Sequence, residues 1–407
     1  MESPSAIAST RELAVAVSIM LSVQLMMSMS VLAAPVLIEL ASDDLGVPVH
    51  AVGYYLSILF AFGTVSALMC GTLIARFGPI RVIQGSLVMA AVGLCLAGTG
   101  SLWGGILSCP FLGLAMGPTT PAASHLLGRL CPARHRGLIF SLNQAGVPIG
   151  QALAGAILPS LGLLLGWEFP MFCLALACLA LTLAAQTRRR RFDLEAGGGS
   201  PLFSLRAIVG PMGMILRSSP LLRAAITSGC YAGMQACASA FLVAILTQRA
   251  GFDLVAAGAV LTVSQLSGAG VRIVWGIVAD RTGRPGLTLS VVGLIMTLSA
   301  ILVGMIERDW SLTPILLCAA ILGATGIGWN GVFLAEVARL APAGKVGAVT
   351  GATSMYTFAG VLVIPTLFSL IVGQTGSYQM GFLFAALMSA GGAILCLPGA
   401  FRPRSSA

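Results

Sequence analysis

Charge is what this chain has least of. Only 9% of its 407 residues are Asp, Glu, Lys or Arg, while 57% are hydrophobic; a soluble domain carries about 25% charged residues. So little charge cannot cover a water-facing surface, which excludes a soluble globular protein and implies many membrane crossings. Acidic residues are scarce too: there are thirteen, all assignable to loops or helix ends, with Glu336 one turn from Arg339. No carboxylate is expected at mid-membrane, which counts against a proton-driven exporter of cations. His125, near the inner end of the fourth apolar run, reads as structural rather than as a proton relay. None of the ten cysteines forms a CxxC pair, so neither a zinc site nor a disulfide framework is indicated. They sit mostly in apolar runs, as small packing residues. Metal-ligand clusters, nucleophile motifs and nucleotide loops are also missing; the Gly197–Gly199 run lacks the strand and helix that a phosphate loop needs. The chain is therefore not read as an enzyme, and no cofactor is expected.

What is present is apolar length. Twelve runs are long enough to span a bilayer, at about 13–38, 51–74, 80–99, 103–127, 137–160 and 166–186, then 221–247, 254–279, 286–306, 311–335, 346–371 and 378–400. The first resembles a secretory signal but is too long for one, and eleven further runs follow. The net charge of +9 falls on alternate loops, with Arg129, Arg134 and Arg136, Arg188 to Arg191, and Arg281 and Arg284 on one side. Opposite loops hold Asp43, Asp44, Glu168 and Glu307. This asymmetry assigns the charge to topology rather than to nucleic acid, and places both termini in the cytoplasm of a cell (inner) membrane protein. The expected fold is an all-α membrane protein of twelve helices in two pseudo-symmetric six-helix bundles. The division is 1–187, a cytoplasmic central loop at 188–220, and 221–407.

The halves repeat. Arg129, Pro132 and Gly137 align with Arg339, Pro342 and Gly347, and GTLIARFG at Gly71 aligns with GIVADRTG at Gly276. Repeated halves with a site between them at the midplane are a pattern of secondary transporters. The run Gly276-x-x-x-Asp280-Arg281-x-Gly283-Arg284 resembles the loop signature of the major facilitator superfamily. With the six-plus-six division, the likeness covers nearly the whole chain. It implies a cytoplasmic gating network at Gly276, Asp280, Arg281, Gly283 and Arg284, with a first-half counterpart at Gly71, Arg76 and Gly78. There the pattern departs, because Ala75 stands at the aspartate position and Pro79 at that of a basic residue, so that latch should be weaker or made differently. Arg272, four residues before Gly276, is similar to the arginine with which the monocarboxylate and oxalate/formate branches contact substrate carboxylates.

Arg272 lies nine residues before Arg281, roughly 13 Å along a helix. A charge at such depth needs compensation. A guanidinium is a planar fork suited to a carboxylate; the alternative is an arginine that snorkels or bonds helix carbonyls. Gln265 shares its helix face. Thr227, Tyr231, Gln235 and Ser239 make a stripe spaced by four, and Asn330, Tyr356, Asn143 and Gln144 complete the candidate substrate contacts, although such stripes also serve helix–helix hydrogen bonding. The expected function is secondary transport of a small organic anion, a carboxylate, by rocker-switch alternating access. A co-transported proton, the lipid bilayer and a monomeric state complete the expected partners. Export of neutral or amphipathic compounds is the alternative, supported by the seventeen methionines; a non-transporting sensor is the third reading.

Overall fold

The computed structural model describes residues 10–47, 52–193, 205–252 and 254–397. Among them the chain is helical throughout, with no strand. The first half holds α1 (Thr10–Leu45), α2 (Val52–Phe77), α3 (Pro79–Ala97), α4 (Leu102–Met116), α5 (Thr119–Leu130), α6 (Arg136–Leu165) and α7 (Phe169–Gln186). Two shorter helices follow, α8 (Arg189–Phe192) and α9 (Leu205–Arg217). The second half holds α10 (Ser219–Gln248), α11 (Leu254–Thr282), α12 (Pro285–Gly304), α13 (Leu312–Gly326), α14 (Asn330–Leu340), α15 (Val346–Thr375) and α16 (Tyr378–Leu395).

Eleven helical stretches among the described residues meet the length and hydropathy needed to cross a membrane. The twelfth expected span, the fourth, is two consecutive helices, α4 and α5, separated at Gly117-Pro118. Pro118 and Pro121 have no N–H to donate back into the preceding turn, so the ladder is interrupted there. Counted as one crossing, α4 and α5 restore twelve. The interval 188–220, expected as a loop, is helical at α8, α9 and the first residues of α10; the Gly197–Gly199 run lies outside the described residues.

The chain forms two compact units. Unit 1 comprises residues 1–132, 143–213 and 341–354, and unit 2 residues 133–142, 214–340 and 355–407. Each unit thus takes a short segment from the opposite half, at the N-terminal ends of α6 and α15. Within unit 1, α3 packs on α4 and α7, α2 on α4, and α1 on α7. Within unit 2 the same pairs recur: α12 with α13 and α16, α11 with α13, and α10 with α16. The repeat seen in the loops therefore extends to the packing.

Close approach in unit 2 depends on small residues. A Cβ at Gly360 of α15 would run into the Gly229 backbone of α10, with no flexible side chain to give way. Gly360→Ala should therefore cost about 1–3 kcal/mol by overpacking. Gly391→Ala, where a Cβ meets nothing within 4 Å, should be neutral. Thermal unfolding of the two purified variants checks this, and equal melting temperatures would contradict it.

Candidate functional site

The second half carries its own broken helix. Between α13 and α14, residues 327–329 leave the helical ladder, and carbonyls at the end of α13 need donors from elsewhere. Two residues of α11 supply them. Arg272 donates from Nε at 3.1 Å and from Nη2 at 2.5 Å to the carbonyl of Ile327. Trp275 donates from Nε1 to the carbonyl of Ala324 at 2.9 Å. Three residues apart, they share one face of α11. Arg272 is only 2% exposed. In this state the guanidinium bonds a helix carbonyl, which is the alternative its depth left open.

Beside the break lies a small cleft lined by Gln235 and Ser239 of α10, Ser264 and Gln265 of α11, and Gly326 and Ile327. Its volume is about 10 Å³, room for about one water. Gln235 Oε1 accepts from Trp329 Nε1 at 3.2 Å and from Asn330 Nδ2 at 3.5 Å. Arg272, Gln265, Gln235 and Asn330 are thus gathered around one helix break.

Tyr231 and Tyr356 are not brought into this cleft. Tyr231 is fully buried and donates its hydroxyl to the carbonyl of Leu289 at 2.8 Å. Its ring meets Trp329 edge-on, with centroids 5.6 Å apart, which is a packing position. Thr227, one turn earlier, likewise donates to the Gly392 carbonyl at 3.0 Å. Tyr356 is half-buried, and its backbone carbonyl faces Gly229. In unit 1, Gln24 donates to both Gln144 Oε1 at 3.0 Å and Thr120 Oγ1 at 2.9 Å. Asn143 is 1% exposed, and its Oδ1 is buried without a hydrogen-bond partner.

The loop signature resolves into helix caps. Asp280 accepts from the backbone N–H groups of Gly137 at 2.7 Å and Leu138 at 2.8 Å, orphan donors at the start of α6. A carboxylate at a helix N-terminus also meets the positive end of the helix dipole. Gly276 and Gly137 allow this, since a Cβ on either would lie 2.5 Å from the other's carbonyl oxygen. Arg281, Gly283 and Arg284 are exposed, and Gly283 turns the chain with φ 62°. In unit 1, Gly71 of α2 meets Ala348 of α15, but Ala75 offers no carboxylate there. Arg76 is exposed and lies over the Phe77 ring. At Gly78, which has φ 85°, a different acid appears.

That acid is Asp193, which sequence reasoning missed. It accepts from the N–H groups of Ile80 at 2.8 Å and Arg81 at 3.2 Å, capping α3 as Asp280 caps α6. Only its place just after a four-arginine run hinted at a role. Arg129 donates to the Phe192 carbonyl at 2.7 Å, and Arg191 pairs with Glu12, so α8 is tied to α5 and α1 just before the cap. Burial pushes the Asp193 carboxyl above its ordinary range, opposed by those two N–H groups and by Arg189 and Arg81. Ionisation is then harder in the folded than in the unfolded chain. The stability of the wild type relative to Asp193→Asn should therefore be greatest below the ordinary aspartate range and decline as pH rises through the raised value. Melting temperatures of both proteins from acid to neutral pH test the sign; a difference that grows with pH would contradict it.

Glu336, expected at a helix end, is fully buried on α14, where both carboxylate oxygens accept from Arg339, at 2.8 and 2.6 Å. No cluster of three or more metal-ligating side chains occurs among the described residues.

Known proteins are similar to this chain. The probable galactarate/D-glucarate transporter GudP of Escherichia coli (strain K12) is 21% identical over 384 residues, covering 85% of this chain and 84% of that one. An uncharacterized MFS-type transporter of Mycobacterium tuberculosis (strain ATCC 25618 / H37Rv), Rv2994, is 26% identical over 282 residues, covering 68% of this chain and 61% of its own. Among solved structures, the E. coli fucose:proton symporter FucP superposes with a TM-score of 0.74 at 14% identity, covering 94% of this chain and 98% of that one. The human organic anion transporter MFSD10 superposes with a TM-score of 0.76 at 17% identity, covering 97% and 100%. Both share the fold. The sequence pattern of the Major Facilitator Superfamily matches residues 18–365, and the chain belongs to that superfamily of multi-pass membrane transporters, which are not enzymes.

Proposed function

We propose that this transporter carries a small organic anion, a hydroxylated mono- or dicarboxylate, by alternating access. The observation that carries the reading is a guanidinium buried in the membrane-spanning core of unit 2, held against the neutral carbonyl of Ile327 at a helix break. A carboxylate is a stronger acceptor for that fork than a neutral carbonyl. Gln265, Gln235 and Asn330 stand around the same break and suit hydroxyl groups. The relative whose name specifies galactarate and D-glucarate supports the same substrate class. Arg272 is assigned the carboxylate, and the glutamines and Asn330 orientation. The Gly276–Arg284 and Gly71–Gly78 loops are assigned the gates. The protein acts as a monomer in the inner membrane with both termini cytoplasmic, and a proton that travels with the anion is compatible with the site.

A thermal-shift screen of the purified protein tests the substrate class, because a ligand that binds the folded state raises its stability by RT ln(1 + [L]/Kd). Galactarate, D-glucarate and small monocarboxylates are compared with neutral hexoses and hydrophobic cations. Protection by the acids alone is the expected result. Protection only by neutral or cationic compounds would overturn the assignment.

A further inference from the structure

Unit 1 contains a cavity separate from every residue discussed so far. It lies between α1, α2, α4 and the start of α7, and has a volume of about 190 Å³. Pro35, Ile38, Tyr55, Gly105, Trp167 and Met171 represent its walls, which are apolar almost throughout. Two polar groups of its lining are hydrogen-bonded. Tyr55 and Ser108 share a hydrogen bond at 3.2 Å, and Trp167 donates from Nε1 to Asp44 Oδ2 at 2.8 Å. Water needs two to four polar partners to occupy a site, and an engineered apolar cavity of about 150 Å³ stays dry and takes benzene instead. This cavity is larger, and its chemistry is that of a hydrocarbon site.

The surroundings identify which hydrocarbon. The mouth is rimmed by Tyr54, Ile58, Leu102 and Ile106, all exposed apolar side chains that line the cavity. Tyr54 and Ile58 lie within a stretch long and apolar enough to cross a membrane. Tyr54 and Trp103 are each 73% exposed, as aromatic side chains are at the level of the lipid headgroups. We infer that the cavity receives the acyl chain of a bilayer phospholipid, which enters from the lipid side and ends against Trp167.

Gly105 supplies the test. Gly105 lines the cavity and a Cβ there meets nothing within 4 Å, so Gly105→Ala adds a methyl without a clash and Gly105→Ile adds more apolar bulk at the same place. The full chain is reconstituted in vesicles of phosphatidylcholine, either plain or brominated along the acyl chains. The quenching borne by Trp167 is read as the difference between each protein and its Trp167→Phe partner. Trp167 is only 6% exposed, so strong quenching requires a chain inside the cavity. The expected result is at least twofold quenching of Trp167 in the wild type, reduced by Gly105→Ala and nearly lost in Gly105→Ile. Should Gly105→Ile fail to fold, the decrease in Gly105→Ala decides. Trp167 left unquenched in the wild type, or quenched equally in the Gly105 variants, would overturn the inference. Because this readout involves no transported solute, its failure is distinct from failure of the anion assignment.

Discussion

Arg272→Lys should lower carboxylate uptake at least tenfold while leaving a folded protein. Lysine keeps the positive charge but presents a compact ammonium in place of a planar fork. If one charge-assisted hydrogen bond to the substrate is lost, at about 1.5–3 kcal/mol, the rate falls about ten- to a hundredfold. The same change also disturbs the bond to the Ile327 carbonyl, so stability must be measured beside uptake. Arg272→Gln sharpens the separation. It removes the charge and can leave that buried carbonyl without its donor, at a cost of about 1–3 kcal/mol. A purely structural arginine would make both variants unstable in proportion to their lost uptake. An anion-binding arginine makes Arg272→Lys lose uptake far beyond its loss of stability, together with the thermal protection given by carboxylates. Wild-type uptake by Arg272→Lys would remove Arg272 from the site.

Asp280→Ala should be more destabilising than truncation of the exposed charged residues in the loop signature. The carboxylate accepts from two backbone N–H groups, at 2.7 and 2.8 Å, and hydrogen bonds to a charged group are individually worth about 1.5–3 kcal/mol. Asp280 is half-buried, so water replaces part of what is lost, and a net cost of about 2–3 kcal/mol is expected. Asp280→Asn keeps one good acceptor and should lose about half as much. Exposed Arg281→Ala should cost under 0.5 kcal/mol, as surface changes usually do. Melting temperatures of the three variants in one detergent give the ranking. Asp280→Ala melting with the wild type would show that the cap contributes nothing.

Much of this fold was legible because a bilayer demands long apolar runs, and few other constraints produce twelve of them. The break between α4 and α5 was legible in principle from Pro118 and Pro121. The break between α13 and α14 was not, since residues 327–329, Ile-Gly-Trp, contain no proline. What marks that break is the pair of donors from Arg272 and Trp275, 55 and 49 residues away in sequence. The stripe Thr227, Tyr231, Gln235, Ser239 shows another limit. Steps of four residues overshoot a helical turn by about 40° each, so its ends diverge by about 120°. Thr227 and Tyr231 consequently bond neighbouring helices, while Gln235 and Ser239 line the cleft. Asp193 escaped notice for the same reason as the helix break: its acceptor role depends on Ile80, 113 residues earlier, and no local pattern encodes such a meeting.

The central claim, that the cargo is an organic anion anchored by Arg272, is tested most directly by uptake of labelled D-glucarate into proteoliposomes. Wild-type and Arg272→Lys proteins are compared, with a neutral hexose as the control solute. Saturable uptake of the acid by the wild type, little uptake of the hexose, and an at least tenfold loss in the variant are predicted. Uptake of the hexose in preference to small acids, or undiminished acid uptake by Arg272→Lys, would contradict it.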